Sequence, residues 1–387
     1  MSQEIVSRFE KAFAEWYGVR SAFGFWKGRV AIYAVLRALG VKEGDEIILP
    51  GYTCVTAVNP IKVIGATPIY VDIEPVTYGM DPDKLEEKIT KKTKVIFAQF
   101  TYGLPPELDT ILDIANKHGI PVMEDACQGL DSYYKGRKAG SFGAAAAYSM
   151  QWTKTFTLGI GGFVTTNDPE LAERIESFRP EVCSPTWKEN ALLTTERCVN
   201  RAINFPTTIA MLRTLFRWLV DRRLLVGSST TEEAKGQPQS DPHFFKAMGP
   251  GQGRAGLAQV RWYLDANLRH RRKMRGVYDR LLAERGFPVP MIPDHMDPAL
   301  VCYSVRVADK AGAIAAARKR FIDLGDWFDQ PLHRCRVKPD VYDYHEGMCP
   351  EAEKAVREVV NFPTYTRANE RIATKCVDLV CETGPPR

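Results

Sequence analysis

The stretch TKVIFAQFTYGLPPELDTILDIANKHGIPVMEDA (93–126) decides the fold. It opens on a short apolar run, TKVIFAQF (93–100), rich in the β-branched and aromatic residues that suit a buried strand. LDTILDIANKHG (108–119) follows as a helix closed by glycine, and IPVMEDA (120–126) is a second apolar run. Strand, helix and strand at this spacing predict two parallel neighbours joined by a crossover.

The same rhythm extends outward in both directions. Val30 to Leu39 reads as a helix, GDEIILP (44–50) as a strand, Thr53 to Ile64 as a helix and ATPIYVDI (66–73) as a strand. AAAAYSM (144–150) and GGFVTTND (161–168) continue it as strands. The expected fold class is α/β, a mostly parallel sheet covered by helices in a large domain of residues 1–250, with linking helix and smaller C-terminal α/β domain in 251–387. In that second part a long helix should start near Arg254 and run through LAQVRWYLDANLRHRRKMRGVYDRLL. VCYSVRV (301–307) should be a strand and AGAIAAARKRFIDLG (311–325) a helix.

Composition narrows the function classes. A net charge of +5 on 387 residues with both signs intermixed gives no argument for nucleic acid. Nine scattered cysteines without a C-x-x-C pair fit reduced thiols better than disulfides or a metal site. The start, MSQEIVSRFEKAF, reads as an amphipathic helix, not a secretory signal, so a cytoplasmic location is expected. Residues 181–247 break the rhythm with a basic, apolar insert. Within it, 207–226 places Ile209, Leu212, Leu215, Phe216 and Leu219 at helical spacing beside Arg213, Arg217, Arg222 and Arg223. Two readings of this stretch stand open: a helix packed on the protein body, or peripheral contact with a membrane surface. GQGRAG (251–256) follows no strand, so it is expected to be a glycine-rich loop entering a helix and not a dinucleotide site. RHRRK (269–273) is expected to form a solvated face.

Chemistry in parallel sheets gathers at the carboxyl ends of strands. Asp125 ends one strand, where a carboxylate can pair with a protonated pyridine nitrogen. Ser149 ends another, and Lys154 follows five residues later as an amine that a desolvated site can activate toward a carbonyl. Gly28 opens a helix whose N-terminal amides suit a phosphate. Together they describe a site for pyridoxal 5′-phosphate (PLP), held by Lys154 as a Schiff base.

These segments, together with GDEIILPGYTCVTAVNPI, GATPIYVDIEPVTYGMDPDKLEEKITKKTKVIF, PLH (331–333) and CPEAEKAVREVVNFPTY (349–365), resemble the DegT/DnrJ/EryC1/StrS sugar-aminotransferase family. The resemblance implies the PLP-dependent transferase type I fold, a homodimer, and transfer of an amino group from an amino-acid donor such as glutamate to a keto sugar. It implies roles for Lys154 as the cofactor lysine, Asp125 as the pyridinium partner, Gln128 near the ring hydroxyl, and Ser149 with Gly28, Arg29 and Val30 on the phosphate. Tyr102 and His333 are candidates for the substrate pocket. Some members carry His at the lysine position and dehydrate their sugars; Lys154 favours transamination. The sequence departs from the family at four places. Arg29 and Val30 replace the usual Thr and Ala, and Cys54 replaces the aromatic that stacks on the cofactor, with Tyr52 a possible substitute. Ile160 replaces an acid, and FFKAM (244–248) lacks the Asn that a partner subunit usually supplies. Arg29 is expected to offset the missing contacts by a charge-assisted bond to phosphate.

Overall fold

The computed structural model describes residues 2–203, 235–240, 244–333 and 338–386. The basic, apolar stretch 207–226 lies outside the described residues. Seven strands form the main sheet: β1 (Ser21–Phe25), β2 (Glu46–Pro50), β3 (Thr67–Val71), β4 (Thr93–Gln99), β5 (Val122–Asp125), β6 (Ala145–Ser149) and β7 (Gly162–Thr166). Their order is β1-β7-β6-β5-β4-β2-β3. The five strands β3, β2, β4, β5 and β6 run parallel, while β7 and β1 pair antiparallel at one edge. The expected parallel sheet is present, flanked by α2 (Gly28–Ala38), α3 (Val55–Ile64), α4 (Leu108–Lys117) and α5 (Pro169–Phe178). β1 was not anticipated from the residues; it closes the antiparallel edge.

The N-terminal helix α1 (Ser2–Tyr17) drives Phe9 and Phe13 into the sheet's second face, against Phe156 and Phe163. The GQGRAG segment belongs to helix Pro250–Trp262 itself and not to a loop before it. Its glycines permit close helix contact: a Cβ on Gly256 would sit 2.3 Å from the Phe9 ring, and one on Gly253 3.2 Å from Ile5 O. The long helix expected from Arg254 breaks at Tyr263 (φ −127°) and restarts as Leu264–Glu284. Arg271, on that second helix, is buried, while Arg269 and Lys273 of the same run are exposed, so RHRRK is a solvated face except at its central arginine. Its guanidinium donates to Leu300 O, Val301 O, Thr364 Oγ1 and Asn267 Oδ1, and burial pulls its pKa down to about 10. These neutral acceptors offset part of the desolvation cost of the cation, and the lowered pKa marks the part they leave.

Cys302–Arg306 pairs antiparallel with Val359–Pro363, and helices Lys310–Lys319, Pro350–Glu358 and Glu370–Thr383 pack around this ribbon. The first of these helices stops at Lys319, short of the expected 325, where Phe321 takes a left-handed φ of 54°. No described helix is long and apolar enough to cross a membrane.

Side chains alternate on β5, so Glu124 points opposite to its neighbour Asp125. Glu124 is fully buried, and its carboxylate accepts the amides of Gly140, Phe142 (2.8 Å) and Gly143 (2.7 Å). Burial pushes its pKa up, against the pull of these three donors. Gly140 has φ +84°, and a Cβ there would lie 1.9 Å from the Tyr148 hydroxyl, so the turn tolerates only glycine. Glu124→Ala strands three amides and is expected to cost about 3 kcal/mol or more in a denaturant unfolding series. A loss below about 1 kcal/mol would mean that the turn finds other acceptors.

Candidate functional site

The carboxyl ends of β2, β4, β5 and β6 lie side by side in the sheet and supply most of the site. Asp125 is the last residue of β5, buried, with Oδ1 accepting the Cys127 amide at 3.1 Å. Burial raises its pKa, opposed first by the Cys127 contact and then by the positive charge of Lys154. Ser149 ends β6 against the first turn of α2. A Cβ on Gly28 would come within 3.0 Å of Ser149 Cβ and 3.2 Å of its Oγ. Gly162 makes room on the other side, since a Cβ there would approach Lys27 O to 2.2 Å. The turn is thus a cradle that only glycines leave open. The first amides of a helix lack intrahelical acceptors. Val30 N–H donates to Lys27 O at 3.1 Å, and Gly28 and Arg29 stand at the head of the turn. Arg29 is buried in the same turn.

Lys154 sits in a turn closed by its own amide on Gln151 O (2.9 Å). Its Nζ lies 4.5 Å from the centroid of the Trp327 indole. Desolvation lowers its pKa, countered by the neighbouring Cys127, Cys54 and Asp125 groups. Burial in turn pushes the Cys302 thiol up to about 12. Such an amine is more readily neutral, and so more nucleophilic, than a surface lysine. A buried carboxylate, an activated amine and a glycine-lined helix N-terminus beside a serine hydroxyl form a donor set that fits PLP.

Gln128 is buried and spends its Oε1 on the Tyr102 amide at 2.9 Å, holding Tyr102 at φ 60°. Tyr102 donates its hydroxyl to Trp327 O at 2.5 Å and receives that of Tyr52 at 2.6 Å. Tyr52 is fully buried, edge-on to Phe328 at 4.7 Å. It therefore builds the wall behind the site, and the aromatic face presented to Lys154 belongs to Trp327. Pairing of Leu332–His333 with Thr53–Cys54 brings the C-terminal part of the chain over the sheet end. His333 thereby lies beside Cys54, its Nδ1 2.7 Å from Asp329 Oδ1 and its ring 5.8 Å from that of Trp327. Ile160 is packed with Trp26 and Leu193, an apolar cluster in place of the family's acid. The FFKAM segment runs beside the residues just before Gly28: Lys246 O accepts Trp26 N–H at 3.0 Å, and the Lys246 ammonium is paired with Glu189.

The segment carrying Trp327 is fastened from the small ribbon's side. Trp327 N–H donates to Asn361 Oδ1 (2.7 Å), and Lys310 Nζ donates to Phe328 O (2.7 Å) and Val356 O (2.8 Å). Burial pulls the Lys310 pKa down to about 8. Its unfolded value is about 10.4. Between those two pH values the unfolded chain binds more protons than the folded one, so stability contributed by this group rises with pH. Lys310→Met should abolish that rise, read as the difference in unfolding midpoints between pH 7.5 and 10. Parallel pH profiles for the two proteins would contradict it.

Trp327 carries no local signal in the sequence, since no motif surrounds it. Its place follows from the long-range contacts of Tyr102 and Asn361 with its backbone and from the pairing of Leu332–His333 with Thr53–Cys54.

Residues 2–208 and 252–381 match the DegT/DnrJ/EryC1/StrS aminotransferase family. GDP-perosamine synthase of Caulobacter vibrioides is 39% identical over 180 residues, 46% of this chain and 48% of that protein. The match thus spans about half the length of that relative. A pleiotropic regulatory protein of Geobacillus stearothermophilus is 28% identical over 98% of this chain and 89% of its own. The crystal structure of DesV from S. venezuelae, in complex with a ketimine intermediate, superposes with a TM-score of 0.74 at 26% identity, covering 98% of this chain and 88% of that one. Fold and sequence agree: the chain belongs to the DegT/DnrJ/EryC1/StrS aminotransferase family.

Proposed function

We propose that this protein is a PLP-dependent aminotransferase that passes an amino group from an amino-acid donor, glutamate in the first instance, to the keto group of a sugar or nucleotide-linked sugar. The observation that carries the reading is the desolvated Lys154 amine within electrostatic reach of the buried Asp125 carboxylate, on a sheet whose neighbouring strand end, Ser149, packs on the glycine-lined turn at Gly28. Gly28 and Arg29 amides, the Arg29 guanidinium and the Ser149 hydroxyl are assigned to the phosphate, Asp125 to the pyridine nitrogen, Gln128 to the ring's hydroxyl side and Lys154 to the aldehyde carbon. Cys54 is assigned to the cofactor pocket as well. When bound, PLP supplies an electron sink that acidifies the substrate carbon. With the cofactor bound, Lys154 Nζ would take the proton from that carbon and later return one to the acceptor's carbon, acting as base and then acid. Asp125 stays ionised against the pyridinium and keeps it charged. Tyr102 and His333 frame the substrate side, Tyr102 through Trp327 and His333 directly.

The active unit is taken to be a homodimer, supported by the exposure of Trp187 (75%) and Trp262 (73%) on neighbouring helices. The division into a large part up to residue 250 and a smaller one beyond it is proposed with it.

Adding L-glutamate to the PLP-loaded protein should convert the absorbance of lysine-bound cofactor to that of the pyridoxamine form. A second reading, a cofactor-fold regulator, draws on the regulatory relative that matches the full chain. A protein that binds PLP yet converts with no amino donor would favour that second reading.

A further inference from the structure

Trp327 Nε1 is buried and has no hydrogen-bond partner among the described residues. Native proteins leave few donors in that condition, and a ligand is one common way to satisfy them. Lys154 Nζ lies 4.5 Å from the indole centroid, and the centroid of the His333 ring 5.8 Å from it. Its backbone is held by the turn after β4 through Tyr102 and by the Val359–Pro363 strand through Asn361, while Lys310 of the Lys310–Lys319 helix holds the carbonyl of the next residue, Phe328. Phe328 next to it is fully buried and stacked on Tyr102. A donor placed by so many contacts is pre-organised, and binding through it orders little that is not already ordered.

We propose that Trp327 is a substrate-recognition residue: its Nε1–H donates to an oxygen of the substrate whose amine-bearing carbon stands at Lys154 Nζ, and its ring supplies the aromatic wall that Cys54 leaves out. This rests on the aminotransferase reading. The oxygen belongs either to the carboxylate of the amino-acid donor or to a hydroxyl beside the amine of the sugar. Both accept from an indole N–H, and the carboxylate does so with charge assistance.

The test uses the PLP-loaded protein and its Trp327→Phe variant, which keeps a ring and loses the donor. L-Glutamate and GDP-perosamine are titrated separately, following the spectral conversion. PLP affinity should stay within about twofold, while the apparent dissociation constant rises roughly tenfold in one arm or both, identifying which substrate carries the oxygen. In ¹⁵N-tryptophan-labelled protein, the indole resonance missing from Trp327→Phe should shift on adding that same amine. Unchanged titrations in both arms with an unmoved resonance would overturn the proposal. So would a loss confined to PLP affinity, which would turn the indole toward the cofactor. If the wild-type protein converts with neither amine, the aminotransferase reading fails, and the indole resonance still decides whether Trp327 contacts either ligand.

Discussion

Lys154→Ala is expected to abolish the absorbance of covalently held cofactor and to lower transamination by about four orders of magnitude, because it removes nucleophile and proton carrier together. PLP should still bind through the turn at Gly28 and through Asp125, so added cofactor remains dialysable. Millimolar ethylamine should restore part of the conversion by supplying the missing base. The variant should also be no less stable than the wild type in the absence of cofactor. Burial depresses the Lys154 pKa, so the protonated amine opposes folding below its folded value and that penalty fades as pH rises. Lys154→Ala loses the penalty, and its apo stability should lack the rise with pH that the wild type shows. An unfolded or strongly destabilised variant would place Lys154 in the core's packing instead. A variant with unchanged turnover would remove it from the chemistry altogether.

Lys154, Asp125 and Ser149 were legible in the sequence because each stands at or just after the end of a strand whose apolar pattern is local. The sheet was legible for the same reason: 93–126 contains strand, crossover and strand within one short window. What was not legible depends on contacts between distant segments or on desolvation. Trp327 reaches Lys154 through contacts with distant segments, its carbonyl on Tyr102, its amide on Asn361 and the nearby pairing of Leu332–His333 with Thr53–Cys54, none of which its own segment announces. Tyr52 was a reasonable substitute for the missing aromatic by proximity to Cys54, but strand geometry sends it into the wall with Tyr102 and Phe328. Arg271 lay in a charge run that reads as surface, yet four neutral acceptors receive its guanidinium in the interior. Gly253 and Gly256 looked like a loop because glycine disfavours helices. Their helical state is bought by the close approach of Phe9 and Val6, which a propensity argument does not see.

Asp125→Asn should produce the second large effect, and the sign of its pH dependence separates catalysis from structure. In the absence of cofactor, burial raises the Asp125 pKa above the ordinary carboxylate value. The folded state then binds its proton more tightly than the unfolded one, so the group's contribution to stability is full at low pH and lost as pH rises through the folded pKa. Apo wild type should therefore lose stability relative to Asp125→Asn as pH climbs from about 4 toward neutrality. Loading PLP reverses the relation, because a pyridinium beside the carboxylate favours its ionised form. The holo wild type should gain stability over holo Asp125→Asn across the same range. PLP affinity of the variant should fall about 10- to 100-fold, the scale of a hydrogen bond between charged partners. Turnover should fall further, by about 10³-fold, since the neutral amide no longer holds the ring nitrogen protonated when the substrate carbon loses its proton. The decisive measurement is the pair of stability–pH curves with and without cofactor. If the difference between wild type and Asp125→Asn keeps one sign in both, Asp125 does not face the pyridine nitrogen, and its carboxylate serves only the turn at Cys127.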